Sequence, residues 1–257
     1  MNIIGEYWEV SRILSRNIIG AIVLFCVLLS IIFKKKILGA KPRPIHIYFA
    51  GKKVKFYVRD STDIIMLRGI LVEGQLETTP LRPNIIADLG AHIGCASLYY
   101  VLLYPHAKIL AYEAEPDNFE VLKMNMQQFP QVQCFHRAVA STSGKVKLWR
   151  SSSSAGNSIT RSESSVEEIT VPGITFDEIM LSNPDFVKCD IEGAEYEVFA
   201  NSKKSSVCAT YLIELHSDRN NKSTSDFLSL FPNYQNKILY QTRKRAMILL
   251  TANQKSM

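Results

Sequence analysis

The chain has 257 residues, of which 47% are hydrophobic, so it is long enough for one substantial core plus an appendage and is too apolar to be disordered. Its net charge of +6 is uneven: up to position 45, seven basic residues stand against Glu6 and Glu9, a net +5, which leaves only +1 for everything after. The body of the chain is therefore near neutral, and a nucleic-acid partner is not expected.

The first predicted element follows a 1–16 tail. Residues 17–33 are almost wholly apolar, with Arg16 before them and Lys34-Lys35-Lys36 after them. No polar face interrupts the run, which argues against a buried core helix, and no small-residue cleavage site precedes the lysines, which argues against a removed signal peptide. The expectation is a single-pass transmembrane anchor at the short end of the spanning range, extended by snorkelling of its basic flanks. The basic excess beyond it places the rest of the chain in the cytoplasm by the positive-inside rule, with a lumenal location as the alternative. The five cysteines include no C-x-x-C pair and read as buried free thiols, which agrees with a reducing compartment.

A basic linker over 34–44 leads to a segment over 45–80. Ile45 to Phe49 and Val54 to Val58, separated around Gly51, read as a hairpin. Ser61 or Thr62 is placed to cap a short helix over 63–71. This segment precedes the main domain, expected over 81–252, and is free to cover its site.

Ile85-Ile86-Ala87-Asp88-Leu89-Gly90-Ala91-His92-Ile93-Gly94 organises that domain. An apolar run ends in an acid and two glycines, and a helical pattern starts at Cys95: a buried strand, a tight turn and a helix. Gly90 is expected to let backbone approach a ligand, and Gly94 to free the helix N-terminus for an anionic group. About twenty residues on, the strand Lys108 to Tyr112 ends at Glu113, where an acid reaches the ribose hydroxyls of a nucleotide held by the first turn. A dinucleotide fingerprint needs glycine where His92 stands, so a nucleoside cofactor other than NAD is favoured.

Beyond Glu113, Pro116 opens a helix over 116–126. A third strand is expected over 132–137 and a fourth extended piece over 145–149. The serine-rich stretch 151–158 reads as a flexible loop, either mobile near the substrate or inert on the surface. Two short pieces, 169–171 and 176–180, follow.

Phe186-Val187-Lys188-Cys189-Asp190-Ile191-Glu192-Gly193-Ala194-Glu195 is a strand running into a helix start. Asp190 points at the cleft where ligands bind in such sheets. Glu192 and Glu195 read either as functional acids or as favourable charge at a helix N-terminus. Oxygen ligands of this kind suit magnesium, but nothing in the sequence demands a metal and none is assigned. On the next strand, Glu214 and His216 share a face, and His216 is a candidate proton acceptor.

These segments together resemble the FkbM-type methyltransferases. The resemblance runs over about 45–252, and its most specific piece is the K-x-D-x-E-G-x-E run from Lys188 to Glu195. It implies an α/β fold, a doubly wound, mostly parallel seven-stranded sheet with the last strand antiparallel, the final two strands being 237–241 and 246–251. It implies S-adenosylmethionine as cofactor and methyl transfer to a hydroxyl oxygen of a sugar, lipid or other small molecule. In that reading Asp88, Gly90, Ala91, His92, Gly94, Glu113 and Asp190 serve the cofactor, and Asp190, His216 and Glu214 the chemistry. Ala114 departs from the family, which often has proline after the ribose acid. The alternatives are an NAD-linked oxidoreductase on a similar sheet and a non-catalytic, membrane-anchored binding protein.

Overall fold

The computed structural model describes residues 3–38, 41–76, 82–151, 153–161, 165–220 and 222–253, with only the backbone of 32–38 and 220. Seven strands form the main sheet: β3 (Ile85–Leu89), β4 (Lys108–Glu113), β5 (Val132–His136), β9 (Phe186–Cys189), β10 (Thr210–His216), β11 (Tyr234–Gln241) and β12 (Arg245–Ala252). Their order is β11-β12-β10-β9-β3-β4-β5. The pairs from β10 to β5 are parallel, and β12 runs antiparallel to both β10 and β11, as the family resemblance implies.

The central strands β3, β4, β9 and β10 are apolar because they are covered on both faces. Alternate residues enter opposite cores: Ile86, Ile109, Phe186 and Leu212 pack on one side, and Ala87, Leu110, Val187 and Tyr211 on the other. Helices α4 (Cys95–Leu103) and α5 (Pro116–Met126) cover the first face, and α6 (Phe176–Ile179), α7 (Glu195–Ala200) and α9 (Thr224–Leu228) the second. α8 (Ser217–Asn220) follows β10 directly. Strands β6 (Ala138–Ala140), β7 (Gly144–Ser151) and β8 (Ser165–Thr175) make a separate three-stranded sheet in the order β6-β8-β7. The sequence offers only the middle of β7 and a trace of β8.

The predicted hairpin is β1 (Arg43–Phe49) with β2 (Lys52–Val58), paired antiparallel through a two-residue turn. Ala50 and Gly51 both take positive φ there, 47° and 75°, the twist a two-residue hairpin needs. α3 (Ser61–Leu71) follows, capped by Asp60 rather than by Ser61 or Thr62: the Asp60 carboxylate accepts from the amides of Thr62 and Asp63 at 2.9 and 3.4 Å.

The expected membrane anchor is corrected. Among the described residues no helix is long and apolar enough to cross a membrane. The apolar run lies in α2 (Ile18–Leu38), which packs against α1 (Ile3–Ile13) and β1. Leu24, Leu28 and Ile31, one stripe at helical spacing, are buried with Tyr7, Val10 and Leu14 on one side and Ile45 and Ile47 on the other. Trp8 meets Phe25 edge to face at 5.6 Å, and Arg68 of α3 donates to Glu9 of α1 at 2.9 Å. Protein covers the stripe that the sequence assigned to lipid, so the single-pass location, the membrane partner and the orientation drawn from the lysines lose their basis.

The cysteines are unpaired, as expected. Cys95, Cys189 and Cys208 are buried, but Cys134 is half-buried and Cys26 is exposed.

Candidate active site

The strands β3, β4 and β9 end side by side, and a cleft opens above their carboxyl ends. Gly90, His92, Glu113, Asn118, Asp190 and Glu192 line it, Met66 of α3 reaches it, and the segment 154–159 closes over it. Of the expected cofactor residues, Gly90, His92, Glu113 and Asp190 line the cleft; Asp88, Ala91 and Gly94 lie behind it.

The glycine turn is held by the protein itself. The amides of Gly90 and Ala91 both donate to the Tyr112 carbonyl, at 3.0 and 2.9 Å, and the His92 amide donates to Glu113 Oε2 at 2.8 Å. Gly90 has φ +77°, and a Cβ built on it falls 1.8 Å from the Asp190 carbonyl oxygen. The space reserved for a ligand by the sequence is thus occupied by the tip of β9. Gly94 also has positive φ, +93°, and a Cβ there meets Leu122 and Met126 of α5 at 2.9 and 3.0 Å, so it serves close packing.

Glu113 sits at the tip of β4 with both oxygens engaged from the protein side. Oε2 takes the His92 amide, and Oε1 takes the Glu115 amide at 2.9 Å and the Asn118 side chain at 3.4 Å. Burial raises its pKa above the ordinary carboxylate value, and these hydrogen bonds oppose that rise. Oε1 accepts twice and Oε2 once, so Oε2 keeps acceptor capacity for a hydroxyl from the cleft.

Beneath the turn, Lys188 joins β3 to β9. Its ammonium donates to the Gly90 carbonyl at 2.9 Å and lies 3.3 Å from Asp88 and 4.0 Å from Asp190. Burial works against its charge, but Asp88 and then Asp190 outweigh that and raise its pKa. Asp88, fully buried, also accepts from Ser97 Oγ at 2.7 Å. No role was assigned to Lys188 from sequence, although its spacing of two from Asp190 was the available signal.

His92 takes φ +51° and turns its ring toward α3 and the 154–159 segment. Nε2 is 3.2 Å from Ser154 Oγ, 3.5 Å from Arg59 and 3.6 Å from Asp63, and Arg59 grips Asp63 through two bonds of 2.9 Å. Burial lowers the His92 pKa to about 4, so the ring is neutral at physiological pH. Asn118 of α5 donates to the Ser154 carbonyl at 3.0 Å. The serine-rich stretch therefore rests on the cleft, through contacts that local sequence does not encode.

The second cluster lies where β9 and β10 end. His216 is buried; its Nδ1 is 3.0 Å from Glu195 Oε1, and that carboxylate also accepts the amides of Gly193 and Ile191 at 3.0 and 3.2 Å. His216 Nε2 faces Glu192 at 3.5 Å, and Glu192 in turn meets Arg219 at 2.9 Å. Burial works against the imidazolium, but the bond and charge of Glu195, then Asp190 and Glu192, push the His216 pKa up to about 10. The Glu195 pKa is lowered: burial works against its charge, but the His216 hydrogen bond and charge outweigh that. Burial, reinforced by the Glu214 charge, pushes Asp190 up to about 8. Asp190 Oδ1 is sealed from solvent and has no hydrogen-bond partner among the described residues.

The structure thus brings Asp190 and His216 together with Glu192, their ligand atoms within 4.8 Å of one another. Glu214 faces elsewhere: it accepts from Tyr240 at 2.8 Å and from Arg245 at 3.0 Å.

The chain is similar to known methyltransferases. Residues 88–238 match the model of the methyltransferase FkbM domain. Methyltransferase sdnD of Sordaria araneosa is 37% identical over 82 residues, 31% of this chain and 31% of that protein. The crystal structure of methyltransferase FkbM from Methylobacillus flagellatus KT superposes with a TM-score of 0.50 at 13% identity, over 96% of this chain and 58% of that one. The chain spans under two thirds of the length of either relative.

Proposed function

This chain belongs to the FkbM methyltransferase domain family, whose members use S-adenosylmethionine, and on that premise we propose that it transfers a methyl group to a hydroxyl oxygen of a sugar, lipid or other small molecule. The observation that carries this reading is the convergence of Glu113, the Gly90 turn and Asp190 on one cleft at the carboxyl ends of three parallel strands.

The lining of the cleft suits a nucleoside, but its cavity of about 70 Å³ is smaller than one, so the 154–159 segment must move for the ligand to enter. Glu113 is an acceptor at the tip of β4 whose Oε2 is free to receive a ribose hydroxyl, and its anchoring to the His92 and Glu115 amides fixes its position before a ligand arrives. Gly90, His92, Asn118 and Ser154 line the cleft around it, with Ser154 bridging His92 and Asn118. When bound, S-adenosylmethionine supplies a methyl on a sulfonium, which leaves as a neutral thioether while the acceptor oxygen bonds the carbon. Asp190, in the cleft wall, takes the hydroxyl proton when it is ionised: burial pushes its pKa up to about 8, so its capacity as a base grows as pH rises through that value. His216 and Glu214 stand behind it, holding the charge of that wall rather than touching the acceptor.

The test compares extracts of cells with and without the protein by mass spectrometry, and then assays the purified chain on any molecule that gains one methyl group. Asp190→Ala should cut turnover at least tenfold while changing cofactor affinity less. Wild-type turnover in that variant removes Asp190 from the chemistry. The oxidoreductase alternative requires saturable NAD binding, and a flat NAD titration is expected.

A further inference from the structure

Asp190 and Glu192 in the cleft lining, with His216 beside them and Glu195 behind the histidine, form a cluster of oxygen and nitrogen donors. We propose that Asp190, Glu192 and His216 bind a divalent cation of the magnesium or manganese class. Three observations carry this, each independent of the nucleoside pocket.

The first is geometric. One ligand atom from each of the three residues lies within 4.8 Å of the others. Neighbouring ligands in an octahedron about 2.1 Å from the metal stand roughly 3 Å apart, and opposed ones roughly 4 Å, so modest rotation of the two carboxylates closes the shell. Two carboxylate oxygens and one imidazole suit manganese, which accepts both donor types.

The second is the orientation of His216. Its Nδ1 is tied to Glu195, a fully buried carboxylate that is itself fixed by two backbone amides. That bond takes the imidazole proton and turns Nε2, the ligating nitrogen, toward Glu192. A carboxylate behind a ligating histidine is the usual second-shell arrangement. Glu192 holds φ +56°, a conformation that a non-glycine residue adopts at some cost, and this places its side chain at the cleft edge beside Asp190.

The third is the unmet demand. The buried Asp190 Oδ1 has no hydrogen-bond donor among the described residues. The charges around the site match a bound divalent ion as well. Asp88 and Asp190 share Lys188, and Glu214 has Arg245. Glu192 and Glu195 are left with Arg219 and the histidine. In the bound state, with His216 neutral and every carboxylate ionised as ligation requires, these five carboxylates exceed the three cations by two charges, which the divalent ion cancels.

Because Asp190 and Glu192 line the cleft and His216 stands behind them, the open coordination positions face the cleft and take water or an acceptor oxygen. A hydroxyl so held has its pKa lowered. Asp190, ligating through one oxygen, keeps the other for the released proton. That last consequence rests on the methyltransferase reading; the binding of the ion does not.

The full chain, freed of metal with a chelator, should be titrated with Mn2+ and followed by the loss of the free-ion signal in electron paramagnetic resonance. One saturable site per chain is expected. Glu192→Gln, a half-buried position, and His216→Ala should each weaken it at least tenfold, and Glu195→Gln about 10–100-fold, the range for loss of a second-shell partner. Circular dichroism reports whether each variant is folded, and Glu192→Gln serves if His216→Ala is not. Absence of a saturable site in the wild type, or equal Mn2+ affinity in folded Glu192→Gln, overturns the proposal. S-adenosylmethionine binding measured without metal separates the two readings: Mn2+ binding without cofactor binding sinks the methyltransferase and leaves the metal site standing.

Discussion

Gly90 and Asp190 touch through backbone: a Cβ on the glycine would stand 1.8 Å from the Asp190 carbonyl oxygen. The tips of β3 and β9 are thereby fixed against each other, and this contact sets the width of the cleft between the turn and the Asp190 side chain. Gly90→Ala faces both a strained φ of +77° and that collision. The substitution should lower stability by about 1–3 kcal/mol from the backbone strain alone, with the collision adding to it. Urea unfolding measures the loss, and a wild-type midpoint would mean that the two tips are not in contact.

Lys188 and Asp88 form a buried pair, with the aspartate fully enclosed. Removing one partner strands the other, so Lys188→Met should destabilise by about 3–5 kcal/mol. Replacing both, Lys188→Met with Asp88→Asn, should recover part of that loss, because Asp88 is no longer a stranded charge, and only part, because Asp190 still loses its cation. Additive losses in the double-mutant cycle would show that the two do not interact.

His92 gives stability a pH dependence of known sign. Burial lowers its folded pKa to about 4, against the ordinary 6.5 of the unfolded chain. Unfolding therefore takes up a proton between those values. The contribution of the neutral ring is fully present above pH 6.5 and declines as pH falls toward 4. Denaturation midpoints at pH 7.5 and pH 5 should differ more in the wild type than in His92→Asn, a substitution that tolerates the positive φ. Equal slopes would mean that His92 is solvated or charged in the native state.

The strand–turn–helix at Asp88 to Gly94, the acid at the end of β4 and the strand leading to Asp190 were legible because each is a local pattern of apolar run, glycine and acid. Glu113 at the strand tip follows from spacing alone. The occupant of the Gly90 space was not legible, since the Asp190 carbonyl arrives from a segment one hundred positions away. The Glu195–His216 bond and the contacts of Ser154 with His92 and Asn118 join distant segments in the same way. The three-stranded sheet was missed because β6 has three residues and β8 mixes exposed and half-buried positions with only Val171 buried, which leaves no apolar run to read. The apolar stretch of α2 was misread for a physical reason. Leu24, Leu28 and Ile31 look the same in sequence whether lipid or α1 covers them, and only the fold supplies the partner.

The account depends most on a nucleoside lying against Glu113. Calorimetric titration of the purified chain with S-adenosylmethionine, in the wild type and in Glu113→Ala, tests this directly. One saturable site is predicted in the wild type and at least a tenfold weaker one in the variant, roughly 1.4 kcal/mol or more of lost binding. Equal affinity in the two folded proteins, or no binding to the wild type, would contradict it.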